Sequence, residues 1–214
     1  TADLHKYFIY QADVDAGTLV LDRPGHYVVM EDLVFNPNSV GTQVFGIDAQ
    51  RLGLKDGERL DPYRSGNPLP SQFSMAGGSY DPKAYGIGFF AMISVIGEAS
   101  GSILDLNGFT IQQSEEHALQ QRFFSVIELA GAPFITGQGP HDFGPDGNNA
   151  VSDFTIMNGT IGLSSHHGVH WNGNNNIVIQ DVDFENYEVA AVALNGVDGL
   201  TVKDVNAINR TDVP

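Results

Sequence analysis

The chain has 214 residues, 42% of them hydrophobic and 17% charged, with a formal net charge of −16, a composition that folds around a sizeable core. Ten Lys and Arg against 26 Asp and Glu exclude a phosphate-reading surface, so no nucleic acid is expected, and speak against an anionic membrane surface. Cysteine is absent, which excludes disulfides and thiolate zinc sites, and no apolar run of about 18 residues is present, so no membrane insertion by a helix is expected.

The acidity suits solubility or the use of cations such as Ca2+. The first residue is Thr1, which leaves room for an upstream segment. Two N-glycosylation triplets, at Asn158 and Asn209, are weak pointers to secretion in a chain so rich in Asn. The expected organisation is one domain over 1–214. Residues 1–38 form an N-terminal cap and first coils, with "GTLVLDRPGHYVVMEDLVFN" (17–36) carrying short alternating apolar runs. Residues 39–87 form a long irregular insertion, and residues 88–210 form regular coils. An insertion that long inside a compact fold is functional or disordered.

Within the regular region the signal is repetition. "HWNGNNNIVIQDVDFEN" (170–186) lies over "ALNGVDGLTVKDVNAIN" (193–209) at an offset of 23. Asn172-Gly173 falls on Asn195-Gly196, Ile177 and Ile179 on Leu200 and Val202, and Asp181 on Asp204. One period earlier, "FTIMNGTI" places Phe154, Ile156 and Asn158 ahead of Ile177, Ile179 and Asp181. A further column reads "SVIG" (94–97), "ELAG" (128–131), "HWNG" (170–173) and "ALNG" (193–196). Helix signals are few. The best is "SEEHALQQR" (114–122), with Ser114 as N-cap and two acids in the first turn.

A strand–turn–strand unit of this length cannot bury its apolar face alone, whereas stacked coils can. On these repeats the chain resembles the right-handed parallel β-helix, or pectin-lyase-like, superfamily. The expected fold is therefore all-β, a β-helix solenoid of about 23 residues per coil with loop insertions and one short helix. The rival is a β-sandwich, which the fixed offset of Asn and Gly disfavours.

Strand alternation assigns directions. Val169, Trp171, Val192 and Leu194 should point inward, His167 has inward parity, and Gly168 and His170 should point outward. The core should stack Val95, Leu129, Trp171 and Leu194 in one column and Ile156, Ile179 and Val202 in another. Two coils are longer than 23 residues, and the excess flanks the strand bearing Glu128: the 113–122 helix on one side, "APFITGQGPHDFGPDGNNA" (132–150) on the other. Ser94, Glu128 and His170 then form an outward column, with Ala193 as an inert mate. Adjacent strands lie about 4.8 Å apart, so Glu128 and His170 should touch.

Three chemical readings share that column. In a catalytic groove His170 accepts a proton, Arg122 neutralises charge, and Glu128 orients the imidazole. A hydrolase would instead need two carboxylates about 5–9.5 Å apart, for which Glu128 and Asp142 are the pair. In a metal site His170 and Glu128 are ligands, and His141 or Asp142 supplies a third, suiting a transition metal such as Zn2+ or Cu2+. His166 and His170 cannot share an ion while the strand is extended, because four residues span about 13 Å. Asp181, Asp183 and Asp204 should point outward on adjacent coils, where stacked carboxylates invite Ca2+ or the neighbouring Lys203. Asn172 and Asn195, and Asn158 above Asp181, read as turn ladders.

The resemblance implies a polysaccharide substrate lying along a strand face, and an extracellular or cell-surface or virion-surface location. The alternative is a non-catalytic structural β-helix of a fibre, adhesin, virion or surface layer. The chain ends at "INRTDVP" directly after the last repeat, which points to self-association or a missing C-terminal region.

Overall fold

The structure is a computed structural model that describes residues 3–15, 17–36, 90–120, 123–131 and 149–209. It is mostly β, with every strand pairing parallel. In chain order the strands are β1 (Lys6–Ile9), β2 (Leu19–Leu21), β3 (His26–Val29), β4 (Leu33–Phe35), β5 (Ala91–Val95), β6 (Ile103–Asp105), β7 (Thr110–Gln113) and β8 (Ser125–Glu128). Then follow β9 (Ser152–Ile161), β10 (His167–Asn172), β11 (Asn175–Glu185), β12 (Ala190–Asn195) and β13 (Asp198–Ile208). Among the described residues two short α-helices, α1 (Gln11–Asp15) and α2 (Glu115–Gln120), and one 3-10 turn, Gly97–Ala99, interrupt them.

The strands form two parallel sheets. One runs β1-β3-β6-β9-β11-β13, with β7 pairing β4 and β9; the other runs β12-β10-β8-β5-β2. Parallel neighbours need a crossover, and here each crossover passes through the opposite sheet. The 23-residue offset is the pairing register itself: Phe154 pairs with Ile177 and Ile177 with Leu200, while Trp171 pairs with Leu194. Where the repeat carries insertions the same columns persist at longer offsets, as Ser94 with Glu128 and Glu128 with His170.

Both sheets contribute to one apolar core. Val95, Leu129, Phe154, Ile156, Ile177 and Ile179 are fully buried, and Trp171 belongs to the same cluster with Leu194 packed partly buried against it. Each such side chain contributes about 1.5–3 kcal/mol relative to exposure. Val202, expected in this core, is 51% exposed, and its neighbour Leu200 is 41% exposed. Their side chains follow the inward columns, but β13 ends its sheet, so no described strand covers them from the far side.

Strands β9, β11 and β13 are long because each passes through left-handed backbone positions without losing its partner. Asn158, Asp181 and Asp204 carry φ of 61°, 55° and 51° at equivalent positions, and Asp153 and Asn176 carry 52° one turn earlier. Only Gly, and next Asn and Asp, enter this left-handed region readily. Asn and Asp at these points therefore serve the backbone. The expected Asn158–Asp181 amide bond does not form; Asn158 Nδ2 instead donates to Asp105 Oδ1 at 3.1 Å. The Asn172–Asn195 ladder does form, Asn195 Nδ2 donating to Asn172 Oδ1 at 2.8 Å.

Helix α2 is capped as its sequence implies: Ser114 Oγ accepts from the His117 N–H at 3.0 Å. Its His117 is fully buried, edge-on to Phe35 and Phe124, with Nδ1 2.9 Å from Gln113 Nε2.

Candidate functional site

Strands β8 and β10 lie side by side, and register places Ser125 opposite His167 and Glu128 opposite His170. Simple alternation would send residues three apart to opposite faces. Both strands break that rule at the same level. Val126 and Ile127 are both fully buried. On β10, a Cβ at Gly168 would lie 2.8 Å from the Phe184 ring and 2.5 Å from the Ala191 carbonyl oxygen, and the next residue, Val169, is fully buried. Gly168 therefore faces inward, not outward. His167, assigned inward by parity, turns to the side of His170, where the two rings stack 4.9 Å apart at 17°. Four polar side chains thus gather on one face: Ser125, Glu128, His167 and His170.

Glu128 sits at their centre and has no exposed surface. Its Oε1 lies 2.8 Å from His170 Nδ1, and its Oε2 accepts from the Ser125 hydroxyl. An unpaired carboxylate at this depth would be prohibitively costly, so both oxygens are satisfied. Burial nevertheless raises the Glu128 pKa to about 7, against the lowering effects of His170 and Ser125. His167 goes the other way: burial lowers its pKa to about 3, helped by the neighbouring His166 and His170. His167 is thus a neutral ring stacked on the imidazole that partners Glu128. Trp171 meets His170 edge-on at 6.0 Å. Its Nε1 is buried without a hydrogen-bond partner among the described residues.

The column is not the open face that alternation suggested. Ser94 and Glu128 are fully buried and His170 is 7% exposed. Ser94 completes the row with its Oγ donating to the Ala130 carbonyl at 2.6 Å.

The structure brings Glu128 and His170 together. Arg122, His141 and Asp142 lie outside the described residues, as do the 39–87 insertion and most of 132–150. Asp181, Asp183 and Asp204 are exposed and belong to the other sheet. Asp183 Oδ1 accepts from Asn206 Nδ2 at 2.8 Å, and Lys203 Nζ is 3.6 Å from Asp204 Oδ2. Among the described residues no group of three or more His, Asp and Glu is placed to hold a metal ion. No described helix is long and apolar enough to cross a membrane. Ser125 and His167 were missed by sequence reasoning; the signal that could have found them is the glycine at 168, which marks a close backbone approach inside a strand.

Chemically the arrangement is an imidazole tied through Nδ1 to a carboxylate that a hydroxyl steadies from behind. With the proton on Nδ1, Nε2 is the basic ring nitrogen. One hydrogen bond joins the Glu128 carboxyl group to His170 Nδ1. The chain matches no family model, no curated protein and no solved structure.

Proposed function

We propose that the chain is a right-handed parallel β-helix that binds and processes a polysaccharide at the cell or virion surface or outside the cell, with His170 as proton acceptor and Glu128 as the group that orients it. The two parallel sheets joined by 23-residue crossovers over one core support the fold. The observation that carries the function is the buried hydrogen-bonded series Ser125–Glu128–His170. A general base needs its second nitrogen fixed by a partner, and a buried carboxylate on Nδ1 supplies that.

The geometry favours proton abstraction over hydrolysis. Both oxygens of Glu128 are occupied and the residue is out of contact with solvent, so it is poorly placed to protonate a glycosidic oxygen with Asp142 as its pair. The fitting chemistry is elimination on a uronate: His170 removes the C5 proton beside the carboxyl group, a cationic side chain, for which Arg122 is the candidate, offsets the charge that develops, and the C4–O glycosidic bond breaks as the C4=C5 double bond forms, the departing oxygen taking a proton from water. The test is turnover on a panel of acidic and neutral glycans, read as unsaturated sugar ends by ultraviolet absorbance. His170→Ala should abolish it, and Glu128→Gln should lower it by about 10²-fold or more. Absence of turnover on every glycan, or full activity in His170→Ala, overturns the reading. A second reading, a structural β-helix that assembles with itself, is favoured by the exposed apolar residues of β13.

A further inference from the structure

Two buried polar atoms, Trp171 Nε1 and Asn174 Oδ1, have no hydrogen-bond partner among the described residues. Their residues are 7% and 1% exposed, and both lie at the corner where β10 leads into β11. Asn172 faces solvent, Gly173 takes a φ of 71°, and the chain then turns Asn174 back inward. A buried donor or acceptor left unbonded bears the full cost of its desolvation, so each one calls for a partner.

The surrounding bonds narrow what that partner is. Asn174 Nδ2 donates to the Leu129 carbonyl at 3.0 Å and to the Val151 carbonyl at 2.9 Å. These two bonds fix the amide, because the flipped orientation would set Oδ1 against two carbonyl oxygens. The Leu129 N–H donates to the His170 carbonyl at 2.9 Å, so the Asn174 amide sits against the strand that neighbours Trp171. The Leu129 carbonyl also accepts from the Val151 N–H at 3.1 Å, which fills its two lone pairs and leaves no place for the indole N–H. The corner thus presents one donor and one acceptor away from solvent. A cation would face the N–H and an anion the amide oxygen. The fitting ligand is small and neutral, and both accepts and donates.

We propose that Trp171 Nε1 and Asn174 Oδ1 hold one buried water between them. The water accepts from the indole and donates to the amide, and two partners are the least that keep such a water in place. The proposal is independent of the glycan reading. It completes a tie between the strands that carry the candidate site. Asn174 reaches the Leu129 carbonyl, next to Glu128, and through the water it reaches Trp171, next to His170, whose imidazole the indole meets edge-on at 6.0 Å.

Trp171 is the only tryptophan of the 214 residues, so its indole N–H gives one unambiguous signal. In nuclear magnetic resonance that signal should show an Overhauser contact to a long-lived water, and the contact should vanish in Asn174→Leu. A crystal structure of the unaltered chain should place a water about 2.7–3.2 Å from both atoms. In urea unfolding, Asn174→Leu leaves the indole unbonded and Trp171→Phe leaves the amide oxygen unbonded, while the double variant leaves neither. The double variant should therefore lose less of the folding equilibrium constant than the product of the two single losses, by at least about threefold. A smaller difference overturns the proposal. So does a crystal structure with no water at that corner, or with either atom bonded directly to the other or to another protein group. The resonance and crystal measurements on the unaltered chain decide the matter where a variant does not fold.

Discussion

Glu128 holds its whole carboxyl group out of water, and its pKa rises from the ordinary 4.5 to about 7. Between those values the folded state keeps a proton that the unfolded chain has released. Stability from this group is therefore full below about pH 4.5 and is lost as pH rises through 7. His167 acts in the opposite sense. Its pKa falls from 6.5 to about 3, so the unfolded chain takes up a proton that the folded state refuses. Its contribution is full above pH 6.5 and is lost as pH falls towards 3. The two slopes oppose each other between about pH 4.5 and 6.5, and removing one group should unmask the other. In Glu128→Gln, which keeps an oxygen for His170 Nδ1, the melting temperature should drop as pH is lowered from 6.5 to 4.5. In His167→Asn it should drop as pH is raised from 4.5 to 7. Calorimetric scans across this range check both, and two flat profiles would mean that neither group is as buried as the structure has it.

At the scale of the strand, the residue types that looked most like chemistry answer to the backbone. Asp181 and Asp204 stack at one level, and read as sequence they are carboxylates awaiting a cation. Their φ of 55° and 51° gives them a second reason to be Asp, shared with Asn158 at 61° one coil earlier. Conformation predicts an order of substitutions that charge does not. Asp181→Gly should be nearly neutral in urea unfolding, while Asp181→Val, β-branched in a left-handed position, should cost about 1–2 kcal/mol. A Val variant as stable as the Gly variant would return the position to electrostatics. The same strands show what sequence can reveal. The 23-residue columns were readable because parallel strands pair the same residues at a fixed offset, and the Ser94–Glu128–His170 row was readable across two insertions because each of its members is followed by a glycine three residues later. The faces were less readable. Alternation holds only while the strand is straight, and at Gly168 it is not, so His167 and Ser125 were lost from the site. Burial of the row was not readable either, because alternation gives the direction of a side chain and says nothing of what lies over it.

Across the whole molecule, position along the stack decides what a side chain is worth. Ile156, Ile179 and Val202 are one column by sequence and by register. The first two are fully buried, with β9 and β11 each flanked by strands on both sides; Val202 is 51% exposed on the outermost strand. An inner strand of a parallel sheet has apolar neighbours on both sides, whereas β13 has a described neighbour on one side alone. Ile179→Ala should cost about 2–5 kcal/mol through lost burial and the cavity left behind. Val202→Ala should cost less than about 1 kcal/mol when measured at concentrations where the chains are separate, since its side chain already meets water. Urea unfolding of both variants checks the difference, and a cost at Val202 as large as that at Ile179 would mean that another part of the chain covers the outer side of β13.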